Sequence, residues 1–339
     1  MDNRPDALYQ AVYDDVKTFL PPGCEPGDAV SPDLSYDQFV CVNLLSTLFK
    51  KWEERNTDAD TMALQTFITS NNRCGAWSTD LFSEQDFLLL NMIREELYQF
   101  FHPGGQMLWE SYADILTDAD VGPGAAVSAN GGSYYAKMCS SELTVTHPYL
   151  YFLYRNYVQR HPLSEESELH RSSEYGLATV VDGSNISFAP KTVDRSRLIC
   201  TEPSLNMFLQ KGISAHIERR LVSAYGLDLA TQPDVNRHMA RVGSTSGRFS
   251  TIDLKSASDS ISLGFAKQVL PDWVFDTLSE TRSPVAYARG ESIHLNMVST
   301  MGNGFTFSLQ TAIFSAIILA VYKSQGIKPL RCGYGSNWA

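Results

Sequence analysis

In the last fifty residues of the chain, "VSTMGNGFTFSLQTAIFSAIILAVY" sets a Ser/Thr/Gly/Asn loop directly before a long apolar run. A run of that length must be buried or cross a membrane, so it constrains any core that forms around it. Thr306, Ser308, Gln310, Thr311 and Ser315 interrupt residues 305–322, which predicts a buried helix rather than a membrane span. Gly302 and Gly304 permit close backbone approach, Asn303 offers amide donors and an acceptor, and a helix N-terminus favours anionic groups. The loop therefore suits a nucleotide sugar and phosphate. Taken alone, it reads more readily as a plain glycine-rich lead-in to a helix.

With 339 residues, 43% hydrophobic and 19% charged, the chain can bury one large core or two smaller ones. Cys24, Cys41, Cys74, Cys139, Cys200 and Cys332 are scattered with no C-x-x-C pair. That spacing argues against a zinc site or a disulfide framework and fits a reducing cytoplasm. The opening "MDNRPDALYQAVYDDVKTFL" lacks the basic-then-apolar order of a signal peptide, and its early aspartates argue against a transit peptide. A net charge of −11 ordinarily disfavours a nucleic-acid partner. Residues 191–248, however, hold nine Lys and Arg against five Asp and Glu, a local +4 that leaves −15 elsewhere. Such a run is either a solvated helical face or a basic channel in an acidic body, where phosphate is met locally.

The first half reads as helices separated by breakers. Ser35 can cap a helix carrying Val40, Leu44, Leu48 and Trp52 on one stripe, and Ser83 with Asp86 opens "EQDFLLLNMIREELYQFF", which "HPGG" stops. Residues 121–133, "VGPGAAVSANGGS", read as a loop, and "HPLSEESELHRSS" as a polar, exposed segment. "GLATVVDGSNISFAPK" has two β-like runs about an Asp-Gly-Ser turn, which predicts a hairpin. In "LNMFLQKGISAHIERRLVSAYG", Leu209, Ile213, Ile217 and Leu221 form an apolar helical stripe, with Lys211, Arg219 and Arg220 off it and Gly226 as its C-terminal cap.

"FSTIDLKSASDSIS" places Asp253 at the end of a short apolar run and Asp259 six residues later. A carboxylate at a rigid strand end is a common way to hold Mg²⁺, although turn and cap roles account for isolated aspartates equally well. "APKTVDRSRLICTEP" aims Lys191, Arg195 and Arg197 from an extended segment, as a triphosphate requires, with Glu202 able to orient an arginine. A surface strand with ordinary ion pairs is the alternative.

Together, "DRSRLICTEPSLNMFLQKGI", "YGLDLATQPDVNRHMARVGS", "TIDLKSASDSISL", "LSETRSP" and "STMGNGFTFSLQ" resemble the catalytic β subunit of levivirus replicases, the RNA-directed RNA polymerases of positive-strand RNA bacteriophages. The resemblance covers residues 190–322 and implies an α+β, right-hand polymerase. It assigns residues 1–189 to a helical fingers-like region, 190–250 to a basic fingers segment and 251–339 to a partial palm. It makes Asp253 the first catalytic, metal-binding aspartate of a two-ion Mg²⁺ site, and Lys191, Arg195 and Arg197 the grip on the incoming triphosphate. Ser299, Gly302 and Asn303 become the loop that selects ribose and positions template. Asp259 joins the nucleotide site, although in many polymerases the second aspartate falls one residue earlier, where this chain has Ser258. The implied partners are RNA template, nucleoside triphosphates, the host elongation factors Tu and Ts and an RNA-binding ribosomal protein, in the cytoplasm of an infected bacterium.

In that family the next palm element is a hairpin reading Tyr-Gly-Asp-Asp. Here the stretch is "GYGSNWA", with Tyr334 and Gly335 matching and Ser336 and Asn337 in place of the two aspartates. The expectation is a polymerase cut at its catalytic hairpin, with an incomplete palm, no thumb and negligible synthesis by itself. A noncatalytic RNA-binding or replicase-assembly protein is the alternative.

Overall fold

The computed structural model describes residues 5–22, 33–50, 58–192, 194–247, 254 and 256–328. Helices α1 (Pro5–Val16), α2 (Tyr36–Lys50), α3 (Ala59–Gly75), α4 (Glu84–Phe101), α5 (Tyr112–Thr117) and α6 (Tyr134–Met138) precede strand β1 (Thr144–Val145). Then come α7 (Pro148–Val158), α8 (Pro162–Tyr175), β2 (Thr179–Val180), β3 (Gly183–Thr192), β4 (Arg195–Thr201), α9 (Ser204–Tyr225) and α10 (Gln232–Ser246). The last elements are α11 (Leu263–Val269), α12 (Asp272–Thr281), β5 (Val285–Ala288), β6 (Glu291–His294) and α13 (Thr306–Ser324). The mixture of helix and sheet agrees with an α+β class. Contacts divide the chain into two units, residues 1–68 with 188–198 and residues 69–187 with 199–339.

In the first unit α1 packs on α2. Ser35 starts α2 with a reciprocal cap: its Oγ accepts from Gln38 N at 3.3 Å while its own N–H donates to Gln38 Oε1 at 3.0 Å. The expected stripe is displaced, because Val40 and Leu44 are exposed and Cys41, Val42 and Leu45 are buried. The segment "VCVNLLSTLF" is apolar on more than one face, so four-residue spacing alone does not select the buried one. Trp52 lies outside the described residues. Ser196 Oγ donates to Asp60, joining the start of α3 to β4.

The second unit is built on α4, α9 and α13. Ser83 Oγ accepts from Asp86 N at 3.2 Å and Asp86 returns the bond to Ser83 N at 2.9 Å, which fixes the start of α4 as its sequence predicts. Leu90, Ile93, Leu97 and Phe101 then face the core. Along α9, Leu209, Ile213, Ile217 and Leu221 are fully buried, and Gly226 closes the helix at φ 64°. At about 1.5–3 kcal/mol for each such side chain, packing outweighs local helix propensity in holding α9 in place. By length and composition α13 could cross a membrane, but it packs on α4 and α9 and buries Leu309, Ala312, Ile313 and Ala316 in the core.

Two further expectations fail, each for a physical reason. The Asp-Gly-Ser hairpin does not form: β2 pairs in parallel with β1, whereas β3 pairs in parallel with β5, in a four-stranded sheet of order β4-β3-β5-β6. Gly183 is required by close approach, since a Cβ there would lie 1.9 Å from Val285 O. Partners so distant in sequence leave no trace in local turn chemistry. The "HPLSEESELHRSS" segment is helical in α8 and not uniformly exposed, because Glu168 and Arg171 form a fully buried ion pair at 2.7 Å. Arg171 also donates to the Gly176 carbonyl at 3.0 Å, so the buried charges are satisfied.

Candidate functional site

Residues 299–305 fold as a stitched loop before α13. Asn303 N donates to Thr300 O at 3.2 Å, Thr306 Oγ1 donates to the same carbonyl at 2.7 Å, and Asn303 Oδ1 accepts from Phe305 N at 3.3 Å. Asn303 therefore spends its side-chain acceptor on its own helix start. Cys200 N donates to Met301 O at 2.7 Å, which fastens the loop to the end of β4. The approach is so close that a Cβ on Gly302, at φ 117°, would lie 2.2 Å from Cys200 O. Burial pushes the Cys200 thiol up to about 12, leaving a packing residue rather than a nucleophile.

Asp259 closes a single 3-10 turn, Ala257–Asp259, whose preceding residue Ser256 adopts φ 54°. Its carboxylate accepts from Ser258 Oγ at 3.0 Å, and the Met301 backbone N–H favours its charged form. Burial pushes its pKa up, against the lowering effect of Ser258 and the Met301 N–H. The aspartate-bearing segment and the Gly302 loop, which the sequence suggests separately, are brought together: the Ala257–Asp259 turn packs on α13, and Val298 N donates to Ile261 O at 2.9 Å. Beside it, Ser299 Oγ is buried without a hydrogen-bond partner among the described residues.

Behind the loop lies a polar network. Gln210 Oε1 accepts from Gly304 N at 2.9 Å, and its Nε2 donates to Glu202 Oε2 at 3.0 Å and to Thr281 O at 2.9 Å. Ser283 Oγ donates to the same Glu202 oxygen at 2.9 Å. Burial raises the Glu202 pKa, while Gln210, Ser283 and the Arg282 charge oppose the rise. Burial also pushes Arg282 down to about 10, and its guanidinium donates to the Leu295 and Met297 carbonyls, both at 3.0 Å. Glu202 therefore orients Gln210 and the loop. Sequence reasoning missed Gln210, although Asn206 and Gln210 stand four apart, polar, in the otherwise apolar start of α9.

In the first unit, Lys191 on β3 and Arg195 and Arg197 on β4 are all exposed, and none forms an ion pair with a described residue. Arg195 and Arg197, two apart on a strand, share one face. Asp253 lies outside the described residues, as do Tyr334, Gly335, Ser336 and Asn337. Among the described residues no group of three or more His, Cys, Asp or Glu side chains is placed to hold a metal. Asp259 by itself, with one oxygen bonded by Ser258 Oγ, does not supply the donor set an Mg²⁺ ion needs.

The profile of the family described as "RNA replicase, beta-chain" matches residues 6–333. Among curated proteins, the chain is 45% identical over 141 residues to the RNA-directed RNA polymerase beta chain of Escherichia phage MS2, covering 42% of this chain and 26% of that protein. It is 41% identical over 157 residues to that of Enterobacteria phage GA, covering 46% and 29%. Against the RNA-directed RNA polymerase subunit beta of Escherichia virus Qbeta it is 38% identical over 133 residues, covering 39% and 22%. The matched stretches thus span about a quarter of those relatives' length. Because the profile runs through nearly the whole sequence, the chain belongs to the RNA replicase beta-chain family.

Proposed function

We propose that this chain is part of an RNA-directed RNA polymerase of a positive-strand RNA phage, acting in template-dependent nucleotidyl transfer. The observation that carries the reading is the packing of the Ala257–Asp259 turn against α13, with Val298 N donating to Ile261 O at 2.9 Å beside it. It unites an aspartate segment with a glycine-rich loop at the head of a buried helix, and the matched relatives are named as polymerases of this kind. In this reading residues 1–189 and 190–250 belong to fingers and 251–339 to palm, within a right-hand architecture. Asp259, Ser299, Gly302 and Asn303 hold ribose and template, and Lys191, Arg195 and Arg197 hold the triphosphate. Ser299 suits its role because a buried, unpartnered hydroxyl is free to bond a ligand.

Polymerases of this kind use divalent metal, and the Mg²⁺ assignment rests on Asp253. Among the described residues no complete donor set is placed, and the roles proposed here for those residues are binding and orientation. Ser336 and Asn337, neutral where the family carries aspartates, lead us to assign the purified chain negligible synthesis. Its setting would be the cytoplasm of an infected bacterium, with Tu, Ts and a ribosomal protein as partners. The test is incorporation of labelled nucleotide on an RNA template, alongside RNA and nucleotide binding by the same preparation. Binding without incorporation fits the proposal and leaves room for a noncatalytic assembly role. Efficient incorporation overturns the assigned inactivity, and absence of any RNA or nucleotide binding overturns the polymerase reading for this chain.

A further inference from the structure

A cleft of about 470 Å³ opens where the C-terminal half of α4 meets α11 and the start of α12, and its lining includes Arg94, Tyr98, His102, Lys267, Asp272 and Trp273. Arg94 and Tyr98 are one turn apart on α4, and His102 continues the same face just past its end. Tyr98 and His102 stack, with centroids 4.1 Å apart and planes inclined by 22°.

That stack is rigid for a definite reason. The indole N–H of Trp273 donates to His102 Nε2 at 3.1 Å, so Nε2 is the acceptor and the imidazole proton sits on Nδ1. From there it is given to the Tyr98 carbonyl at 2.9 Å. Both ring nitrogens are committed, and the imidazole cannot turn without breaking a bond. Trp273 is in turn held edge-on against Trp109, at 4.9 Å, and Phe101, at 6.2 Å. The outermost ring of this aromatic ladder is Tyr98, 56% exposed.

The charge on the lining is cationic. Arg94 is pinned by its Nε bond to Gln268 O at 2.7 Å, and exposed Lys267 has no ion pair among the described residues. Among the described residues on the lining, Asp272 is the one carboxylate. The nearby Glu95 and Glu96 are drawn to Lys323, at 3.0 and 3.6 Å, on the side facing α13. A fixed exposed ring beside unpaired positive charge is the arrangement that takes a nucleobase by its face and the adjoining phosphate by its charge. An acidic peptide would use the cations but leave the ring stack without a function.

We propose that this cleft is a second, sequence-tolerant binding subsite for single-stranded RNA, separate from the Asp259–Gly302 site, with Tyr98 as stacking platform and Lys267 as phosphate contact. It rests on the RNA-binding reading above and adds a place on the surface where template or product is held by one unpaired base.

The probe is a fluorescein-labelled oligoadenylate of about eight nucleotides, a length within the usual range of single-strand sites, titrated into the full chain at several salt concentrations. Tyr98→Leu is expected to weaken binding by about tenfold, the scale of one lost base stack, while Tyr98→Phe keeps wild-type affinity. Lys267→Gln should reduce the salt slope by about one. Ultraviolet cross-linking should place the oligonucleotide on peptides holding Tyr98 or Trp273. If the chain binds the probe, Arg195→Gln weakens binding, and Tyr98→Leu and Lys267→Gln do not, the subsite is overturned and the polymerase reading stands. Wild-type failure to bind any oligonucleotide overturns both. Unchanged thermal unfolding of Tyr98→Leu and Lys267→Gln separates lost contact from lost fold.

Discussion

The backbone N–H of Gly304 donates to Gln210 Oε1 at 2.9 Å, and the other end of the same amide donates to Glu202 at 3.0 Å. One side chain on α9 therefore sets the distance between the loop before α13 and the carboxylate that follows β4. Glutamine is suited to this post because it offers an acceptor and two donors, and here Thr281 O takes the second donor at 2.9 Å.

Gln210→Leu keeps the volume and removes all three bonds. It leaves Gly304 N–H, Glu202 and Thr281 O short of partners in a dry environment, at about 1–3 kcal/mol for each group that finds no substitute. The expected result is a stability loss of about 3 kcal/mol or more in urea unfolding, together with loss of nucleotide binding. Gln210→Glu is expected to behave worse at neutral pH than in mild acid, since it sets a second carboxylate against Glu202.

Gly302 combines φ 117° with a Cβ position 2.2 Å from Cys200 O. Gly302→Ala must move the loop away from β4, breaking the Cys200–Met301 bond. A cost of about 1–3 kcal/mol and loss of RNA affinity are expected, read by thermal unfolding and filter binding. Gly104 makes a sharp control: it too has positive φ, 63°, but no atom lies within 4 Å of its Cβ position. Gly104→Asn is expected to stay within about 0.5 kcal/mol of wild type.

Glu202 is raised in the folded state, first by burial. A carboxyl with raised folded pKa binds more protons folded than unfolded, so its contribution to stability falls as pH rises through the folded pKa and is recovered on acidification. Glu202→Gln removes that titration. The stability of wild type relative to Glu202→Gln is therefore expected to improve as pH is lowered from about 7 towards the ordinary glutamate value of about 4.3. Urea midpoints for the two proteins across that window check it, and a constant difference would contradict the burial of Glu202 as a charged group.

Much of the secondary structure was legible because its cues are local: the Ser83–Asp86 box, the Leu209 to Leu221 stripe and the Gly226 cap each lie within a few turns of what they control. The β1–β2 and β3–β5 pairs were not, since Thr144 meets Thr179 and Gly183 meets Val285 across long connections that turn chemistry does not encode. The same holds for the site. Gly302 and Asn303 announce themselves by residue type, but what holds them is a glutamine on another helix and a glutamate beyond a strand. Glu168 and Arg171 looked like a solvated face because a buried ion pair has the composition of an exposed one.

Arg195 and Arg197 test the basic strand. Both side chains are exposed and unpaired among the described residues, so neither holds the fold together. Arg195→Gln and Arg197→Gln are accordingly expected to change stability by less than about 0.5 kcal/mol. If they meet phosphate, each substitution should weaken RNA or triphosphate binding across all sequences and lower the salt slope by about one, because one fewer counterion is released. A lysine at Arg197 keeps the charge but loses the fork, so Arg197→Lys separates the two contributions: a preserved slope with weaker binding indicates bidentate contact, and full recovery indicates charge alone. The opposite pattern, with stability lost and the slope unchanged, would make these arginines structural and move the phosphate grip elsewhere in the chain.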